Sequence, residues 1–493
     1  MSQKQYIISQ DNIKQQKMLQ EESNISNIYD VVILGGGLSG LYNAYKLYQT
    51  QEQKYKRSKN SMYSTQELKV LIIESKKELG GRIHTYKDDI YGSVEAGAGR
   101  FNKKHKKLIE LIYELNLEDK INYISSDVEY IPQPNTQEIT NNLQNKIKNL
   151  TKKIIEKSKE QNIKVLQNLI FIEYIKKILT KEEVQLYYDS FGYTSEIVFM
   201  NAYDTIQLIK NHLILKEFMN LKGGLSQIID ELKTRLSKYK NLKIITNESV
   251  VNIENISKPK QLIQNNMFEI STIQTSQDHT KSKDQPKHTN QIQKSKQYYG
   301  KTCISTLNKE TIENFPIFQK IQKYLKYIKN LPLCRIYSKF SPNKDTNEIW
   351  FKNKHKFTTN NDLRMVIPMS ADKGTVMISY SDNIYAKKWN NMYNSEGIAN
   401  VNKKLHQLIK TTTRNSKIPA PTNTKIFYWE YGVVYFGKGF DSTTMLEKIK
   451  HPYPNIPLYV CGENYSEKNN QWMEGALDTI PEPTKILDII FEK

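Results

Sequence analysis

Three glycines near the start of the chain have the spacing of a loop that binds the pyrophosphate of a dinucleotide: Gly35, Gly37 and Gly40. The first permits a tight turn, and the second lets backbone N–H groups approach the phosphates at the start of a helix. The third allows that helix to pack closely on a strand. Glycines also serve ordinary turns, so the flanking sequence has to decide the interpretation.

The residues around this loop predict a strand–helix–strand unit. An apolar run at 30–34 precedes the glycines, apolar residues at helical spacing follow them, and a second apolar run at 69–74 ends in an acid. Glu74 can accept a hydrogen bond from a ribose hydroxyl and would repel a 2′-phosphate, which disfavours NADP. The acid lies further from Gly40 than the roughly 20 residues that are usual, so we predict an inserted surface loop at 49–67.

Arg100 is the second candidate for chemistry. A planar guanidinium binds a carboxylate through two parallel hydrogen bonds, which a lysine cannot reproduce. Only seven of the 72 basic residues are arginine, so an arginine in the glycine-rich stretch 94–101 is unusual for this chain. The alternative is a surface arginine, or one that bridges Glu95.

The segment after the second strand carries the residues by which the chain resembles a known family. A GGRxxT element begins at Gly80, and three further pieces match in order. They are the turn 223–224, the strand at 250–251, and 462–463 together with 472–476. In these features the sequence resembles the flavin-containing amine oxidase superfamily over most of residues 29–490, apart from the insertions.

This resemblance implies an FAD cofactor. The residues that it assigns to cofactor binding, together with the glycine loop, are Gly35, Gly37, Gly40, Glu74, Gly81, Arg82, Val250, Gly462, Glu463 and Met473. Arg82 would contact the FAD phosphates, Glu463 the ribityl side and Met473 the pyrimidine edge of the flavin. We expect non-covalent binding, because the segment 432–435 has valine where covalently flavinylated relatives have cysteine.

Within the family, the stretch 94–101 looks most like L-amino-acid oxidases and tryptophan monooxygenases, which carry an arginine at the position of Arg100. The residues predicted to act on the substrate are Arg100, Trp472, Tyr435 and Lys339. The resemblance places Trp472 beside the flavin with Tyr435 as a possible opposite wall, although aromatic residues at such spacing also form plain core. Lys339 or Arg335 is the candidate to hold a water molecule that faces the flavin.

The resemblance therefore predicts an FAD-dependent oxidase that removes a hydride from the Cα–H of an L-amino acid, with O₂ as the acceptor. The products would be a 2-oxo acid, ammonia and H₂O₂. An amine or polyamine oxidase, in which Arg100 is structural, is the open alternative. A non-catalytic flavin-binding scaffold is a third.

Composition excludes several other classes of protein. The net charge of +20 comes almost entirely from lysine, which gives solubility rather than specific phosphate or base recognition, so a dedicated nucleic-acid function is disfavoured. Three widely spaced cysteines predict neither a disulfide framework nor a metal site. No apolar run approaches the ~18 residues of a membrane span, and neither a signal peptide nor a peroxisomal tail is apparent. We expect a soluble cytoplasmic protein; its oligomeric state stays open.

The predicted fold class is α/β: a Rossmann-type FAD-binding domain interleaved with a substrate domain of antiparallel sheet plus a helical cap. With 493 residues the chain exceeds the ~250–300 at which one core stops growing, so several domains are expected. The predicted parts are a disordered tail at 1–27, an FAD-binding domain at 28–103, 218–330 and 440–493, and a substrate domain at 104–217 and 331–439. A low-complexity insertion is expected at 258–296.

Overall fold

A computed structural model describes residues 27–57, 67–133, 143–213, 217–256, 267–275 and 295–491. The predicted tail lies outside the described residues except for Asn27. The first part of the loop expected at 49–67 is helical, because the first helix, Leu38–Arg57, continues through its polar end. Residues 58–66 lie outside the described part.

The largest sheet has seven strands and a parallel centre. Ile28–Leu34 pairs in parallel with Val70–Ile73 on one side and with Lys296–Ser305 on the other. Both faces of these central strands are covered, which explains why they are continuous apolar runs rather than alternating ones. From edge to edge the order is Glu248–Ile256, Met267–Gln274, Lys296–Ser305, Ile28–Leu34, Val70–Ile73 and Leu242–Ile245, with Leu458–Val460 also paired to Lys296–Ser305.

The first helix starts immediately after the glycine loop and packs on this sheet. Its buried residues lie against the helices Ser226–Leu236 and Pro483–Phe491 in one apolar core. A Cβ at Gly40 would lie 2.0 Å from the backbone oxygen of Gly35. Helix and loop therefore approach each other so closely that only glycine fits at this position, which is the packing role predicted for it.

A six-stranded, mainly antiparallel sheet forms the second large layer. Its central strand, Ile328–Lys339, pairs with Thr375–Asp382 and with Asn423–Phe436. The full order is Asn423–Phe436, Ile328–Lys339, Thr375–Asp382, Met365–Ser370, Lys356–Thr358 and Val128–Tyr130. Two small sheets accompany it, made of Thr85–Asp88 with Gly92–Glu95, and of Phe101–Asn102, Phe218–Leu221 and Ile121–Ile124.

Helices surround these sheets. A run of short helices between 143 and 213 has an apolar core of its own, and the long helix Asn383–Thr413, broken at Gly397, packs on the six-stranded sheet. The remaining α-helices are Lys106–Glu114, Leu143–Lys159, Ile163–Gln167, Phe171–Ile175, Lys181–Ser190, Ser195–Val198, Ala202–Leu208, Lys309–Ile312, Gln319–Leu325, Met445–Lys450 and Met473–Asp478. Ile209–Leu213 is a π-helix, and Glu118–Lys120, Pro316–Phe318 and Glu463–Tyr465 are 3₁₀ turns.

The structure corrects one expectation about the low-complexity segment 258–296. Its residues Met267–Gln274 form an inner strand of the seven-stranded sheet, between Glu248–Ile256 and Lys296–Ser305. Met267, Phe268 and Ile270 are buried there. Because the segment as a whole is polar, the prediction missed these eight residues, in which buried and less buried side chains alternate over much of the length, as is typical of a strand. The remainder of the segment, 258–266 and 276–294, lies outside the described residues.

The mixed α/β class with several sheets is confirmed. Within the described ranges, no helix has the length and apolar character needed to cross a membrane. Cys303, Cys334 and Cys461 are buried free thiols. The carboxyl ends of the parallel strands meet at one edge of the main sheet, which is where ligands bind in open α/β sheets.

Candidate active site

A cavity of about 970 Å³ opens at this edge of the main sheet. It runs from the glycine loop to one face of the six-stranded sheet, where Leu333, Arg335 and Tyr337 line it. Most residues predicted for the site line this cavity: Gly35, Gly37, Glu74, Gly81, Arg82, Arg100, Tyr435, Gly462, Glu463, Trp472 and Met473. Gly40, Val250 and Lys339 do not line it.

Gly37, Gly81 and Gly462 leave open space on the cavity wall. The φ angles of Gly81 and Gly462, +60° and +123°, favour glycine, whereas at Gly37 neither a positive φ nor close packing requires it. A Cβ at Gly37 would come no closer than 3.9 Å to any other group, and one at Gly462 no closer than 3.7 Å. At Gly81 the nearest atom would be 3.4 Å away. Side chains here would instead project into the cavity. The wall therefore has the form expected where the backbone approaches a bound cofactor such as a dinucleotide.

Glu74 is held at the end of its strand by backbone donors. Its Oε2 accepts from the N–H of Gly36 at 2.8 Å, and its Oε1 accepts from the N–H of Lys76 at 2.9 Å. These hydrogen bonds fix the carboxylate beside the glycine loop, on the cavity wall. A carboxylate in this position is suited to the ribose contact predicted for it.

Arg82 and Glu463, assigned by resemblance to different parts of the cofactor, form an ion pair with each other. Arg82 also donates to the Oδ1 of Asn464 at 3.3 Å and to the carbonyl of Gly432 at 3.4 Å. The pair joins the GGR turn to the segment after the last strand. Both side chains remain on the cavity wall, where a cofactor would contact them.

Arg100 lies against an aromatic stack at the other end of the cavity. Its guanidinium carbon is 4.4 Å from the ring centre of Phe218 and 5.8 Å from that of Trp472. The two rings are parallel with centres 6.0 Å apart, and His105 contacts Trp472 edge-on at 5.0 Å. This stack holds the planar guanidinium in one orientation, as a two-hydrogen-bond clamp requires.

Arg100 has no ion pair with any acidic residue in the described part of the chain. The alternative of a bridge to Glu95 is not present, because the carboxylate of Glu95 accepts from the N–H of Leu225 at 2.7 Å and from the hydroxyl of Thr85 at 3.0 Å. Burial raises the pKa of Glu95 to about 7, against the effect of these donors and of Arg335. The charge of Arg100 is therefore directed to the cavity.

Arg335, rather than Lys339, reaches the cavity from the central strand of the six-stranded sheet. Arg335 donates to the carbonyl of Glu95 at 2.9 Å and to the hydroxyl of Tyr380 at 3.1 Å. Lys339 is on the same strand but four residues further, about 13 Å along it at ~3.3 Å per residue, where it pairs with Thr375 and Asn423. Of the two candidates for the residue that faces the flavin, Arg335 lines the cavity and Lys339 does not.

Tyr435 is almost completely buried, more so than a side chain that only forms the cavity wall opposite Trp472 would be. Its ring packs with Met200 and Leu208, and its hydroxyl donates to the Oδ2 of Asp382 at 3.4 Å. The side chain still lines the inner end of the cavity. An aromatic cage made by Tyr435 and Trp472 therefore stays a prediction.

Several cavity residues gave no signal in the sequence. Lys356 comes from a short strand of the six-stranded sheet, and burial, with the charge of Arg100, lowers its pKa to about 7 against the opposing charge of Asp127. Tyr193 and Glu196 come from the helical segment. Burial raises the pKa of Glu196 well above its usual range, helped by the nearby carboxylate of Asp382 and opposed by Arg100.

Comparison with known proteins shows which family the chain resembles. The model of a family described as flavin containing amine oxidoreductase matches residues 38–479. The chain is 27% identical over 114 residues to amine oxidase [flavin-containing] A of Bos taurus, a match that covers 23% of this chain and 19% of that protein. It is 28% identical over 224 residues to an L-amino acid oxidase of Cerastes cerastes, covering 43% of this chain and 36% of that protein. It is also 28% identical over 221 residues to an L-amino-acid oxidase of Bothrops pauloensis, covering 44% and 37%.

Proposed function

Because the chain belongs to the family of flavin-containing amine oxidoreductases, we propose that it is an FAD-dependent oxidase of L-amino acids. An L-amino acid, O₂ and water would give a 2-oxo acid, ammonia and H₂O₂. The observation that carries this substrate class is Arg100, a guanidinium on the cavity wall that stacks on Phe218 and forms no ion pair with a described acidic residue. Such a group is suited to a substrate carboxylate.

The lining of the cavity supports FAD over a smaller flavin. The glycine loop suits a pyrophosphate and Glu74 a ribose, and Trp472 and Met473 line the same cavity, where they suit the flavin ring. Under this proposal the main sheet with its helices is a Rossmann-type FAD-binding domain, and the six-stranded sheet and helical segment form the interleaved substrate domain. Val250 is not assigned to the cofactor, because it does not line the cavity.

We also infer that the cofactor is held without a covalent bond to cysteine. The three cysteines of the chain, Cys303, Cys334 and Cys461, are buried, and the cavity wall includes none of them. Burial raises the pKa of the thiols of Cys303 and Cys461 to about 12 and about 11, so both are poor nucleophiles.

In this proposal, the residues of the chain position the substrate and exclude water. Arg100 binds the carboxylate, and the rings of Phe218 and Trp472 keep the guanidinium in place and shield it from solvent. The amino group then lies against apolar walls, where burial of an ammonium lowers its pKa and favours the neutral amine. A bound flavin would supply the acceptor for the Cα hydride and the route to O₂. No separate acid–base pair is needed.

An amine oxidase is the competing function, and the match to an amine oxidase supports it. In that case Arg100 would be structural. The test is an H₂O₂ assay of the purified yellow protein with the common L-amino acids and with their decarboxylated amines. The proposal expects bleaching of the flavin absorbance and peroxide formation with an amino acid, and little of either with the matching amine. A clear preference for the amine would replace the proposal by amine oxidation, and no bleaching by either class would leave a non-catalytic flavoprotein.

A further inference from the structure

The inner end of the cavity combines apolar walls with one carboxyl group. Leu208 and Val433 pack with Tyr435 there, and Glu196 lies close enough for its charge to act on Tyr435. Glu196 belongs to the short helix Ser195–Val198 and is only 4% exposed. An apolar channel that ends in a carboxyl group is suited to an aliphatic chain with a donor at its end.

The hydrogen bonds of two neighbouring acids show which one is available to a ligand. Asp382 accepts from the backbone N–H of Thr194 at 3.0 Å and of Ser195 at 2.8 Å, and from the hydroxyls of Thr194 and Tyr435. The Oε2 of Glu196, by contrast, is buried and accepts from no described residue. A buried polar atom without a partner is energetically costly, so one that lies at a cavity indicates a role with a ligand.

We propose that Glu196 recognises a cationic group at the end of the substrate side chain, so that the preferred substrates are basic amino acids such as L-lysine and L-ornithine. This specificity rests on the proposed amino-acid oxidase function. In this arrangement Arg100 would bind the carboxylate at one end and Glu196 the distal ammonium at the other. The two groups are near enough for the charge of Arg100 to act on Glu196.

The other charges on the cavity wall support this assignment. Arg335 is committed to the carbonyl of Glu95 and the hydroxyl of Tyr380, and Lys356 lies near Arg100 and Asp127. Arg100 therefore provides a cation for the carboxylate, and Glu95 and Asp127 lie near Arg335 and Lys356. Burial and Asp382 disfavour the charged form of Glu196 in the empty site, and a bound ammonium would compensate by favouring it. A neutral side chain of the same length would bring no such compensation.

The experiment compares L-lysine with L-norleucine, which has an aliphatic side chain without the ammonium. We would measure kcat/KM by H₂O₂ formation with the flavin-loaded wild type, with Glu196→Gln and with Glu129→Gln, a matched change at an exposed acid outside the cavity. A hydrogen bond to a charged group contributes about 1.5–3 kcal/mol, so we expect wild type and Glu129→Gln to prefer lysine by roughly 10- to 100-fold. Glu196→Gln should lose most of that preference.

Binding provides a second readout that does not depend on turnover. The temperature of unfolding of the flavin-loaded protein would be followed with 6-aminohexanoate, which carries a carboxylate and a distal ammonium, and with hexanoate, which lacks the ammonium. We expect the larger stabilisation from 6-aminohexanoate, and we expect Glu196→Gln to remove the difference. Because the wild-type comparison needs no variant, it remains informative if Glu196→Gln fails to fold.

The outcomes separate this inference from the proposed function. If wild type oxidises norleucine as well as lysine, or if Glu196→Gln keeps the preference, the role of Glu196 is refuted and amino-acid oxidation stands. If no amino acid is oxidised, the proposed function fails, and the comparison of 6-aminohexanoate with hexanoate still decides whether Glu196 binds a cation. Equal stabilisation by the two ligands in wild type would overturn the inference.

Discussion

Replacement of Arg100 by methionine tests the basis of the proposed substrate class. Methionine keeps an unbranched, apolar side chain but removes the guanidinium, which is the group that packs on Phe218. If Arg100 binds the carboxylate of an amino acid, the variant brings that carboxylate into the cavity without a partner. Oxidation of an amine, which has no carboxylate, should be much less affected.

The expected magnitude follows from the position of the guanidinium. Removing one partner of a buried, hydrogen-bonded charge pair costs about 2–5 kcal/mol. Arg100 is shielded by Phe218 and Trp472 but is partly exposed, so we take about 3 kcal/mol, or roughly 10²-fold in kcat/KM for an amino acid. For the matching amine only the contact with the rings is lost, at about 0.5–1 kcal/mol, or less than roughly 10-fold.

The assay measures kcat/KM for the best amino acid and for its decarboxylated amine, at equal flavin content, in wild type, Arg100→Met and Arg100→Lys. Lysine keeps the charge without the planar fork, so Arg100→Lys should also be impaired with the amino acid. Lys103→Met is the control, because it removes one charge nearby from an exposed lysine that pairs with Glu217 outside the cavity. If both substrates lose the same factor, or if wild type prefers the amine, Arg100 is structural and the reasoning is refuted.

Four further tests address the site and the fold. Gly37→Ala should lower the flavin content while the protein stays folded, because its Cβ would enter the cavity. Gly40→Ala should instead lower the temperature of unfolding, because its Cβ would lie 2.0 Å from a backbone oxygen. If the two variants behave alike, this reasoning is contradicted. Replacing 277–293 by a short Gly/Ser linker should keep soluble, yellow protein, whereas a deletion that includes Met267–Gln274 should abolish it, as expression and absorbance would reveal. Glu95→Gln should reduce the dependence of the free energy of unfolding on pH. Because Glu95 has a pKa of about 7 in the folded protein, it retains a proton that the unfolded chain has released, and the wild type loses on the order of 2 kcal/mol of stability as the pH rises from about 4.5 to 7. A steeper fall in the unfolding temperature of the variant than of the wild type between pH 5 and pH 8 would contradict this prediction. Acid precipitation should release the flavin into the supernatant, and a yellow pellet would show a covalent bond.

Local sequence was sufficient for the parts of the site that depend on the backbone. Gly37 and Glu74 were predicted from a short stretch, since a tight turn and a strand that ends in an acid are determined within a few residues. In the structure both line the cavity. The resemblance of the stretch 94–101 to L-amino-acid oxidases pointed to Arg100, and Arg100 also lines the cavity.

Failures of prediction occurred where pairing between distant strands sets the position. Arg335 and Lys339 are four residues apart on one strand, so alternation alone places both on the same face. Only the register that pairs Arg335 with Tyr380 and Phe427 brings Arg335 to the cavity. Strand Met267–Gln274 is likewise stabilised by its neighbours on both sides rather than by its own composition.

The sequence by itself therefore determined the glycine loop, the acid that follows it and the family, because these are encoded in contiguous residues and in their order. Only the tertiary structure decided which side chains share the substrate end of the cavity. Glu196 from a short helix, Lys356 from a sheet strand and Arg100 from a loop meet there across separations of nearly 100 residues or more. The burial and mutual charges that shift their pKa values and direct their chemistry arise only when long-range packing removes them from water.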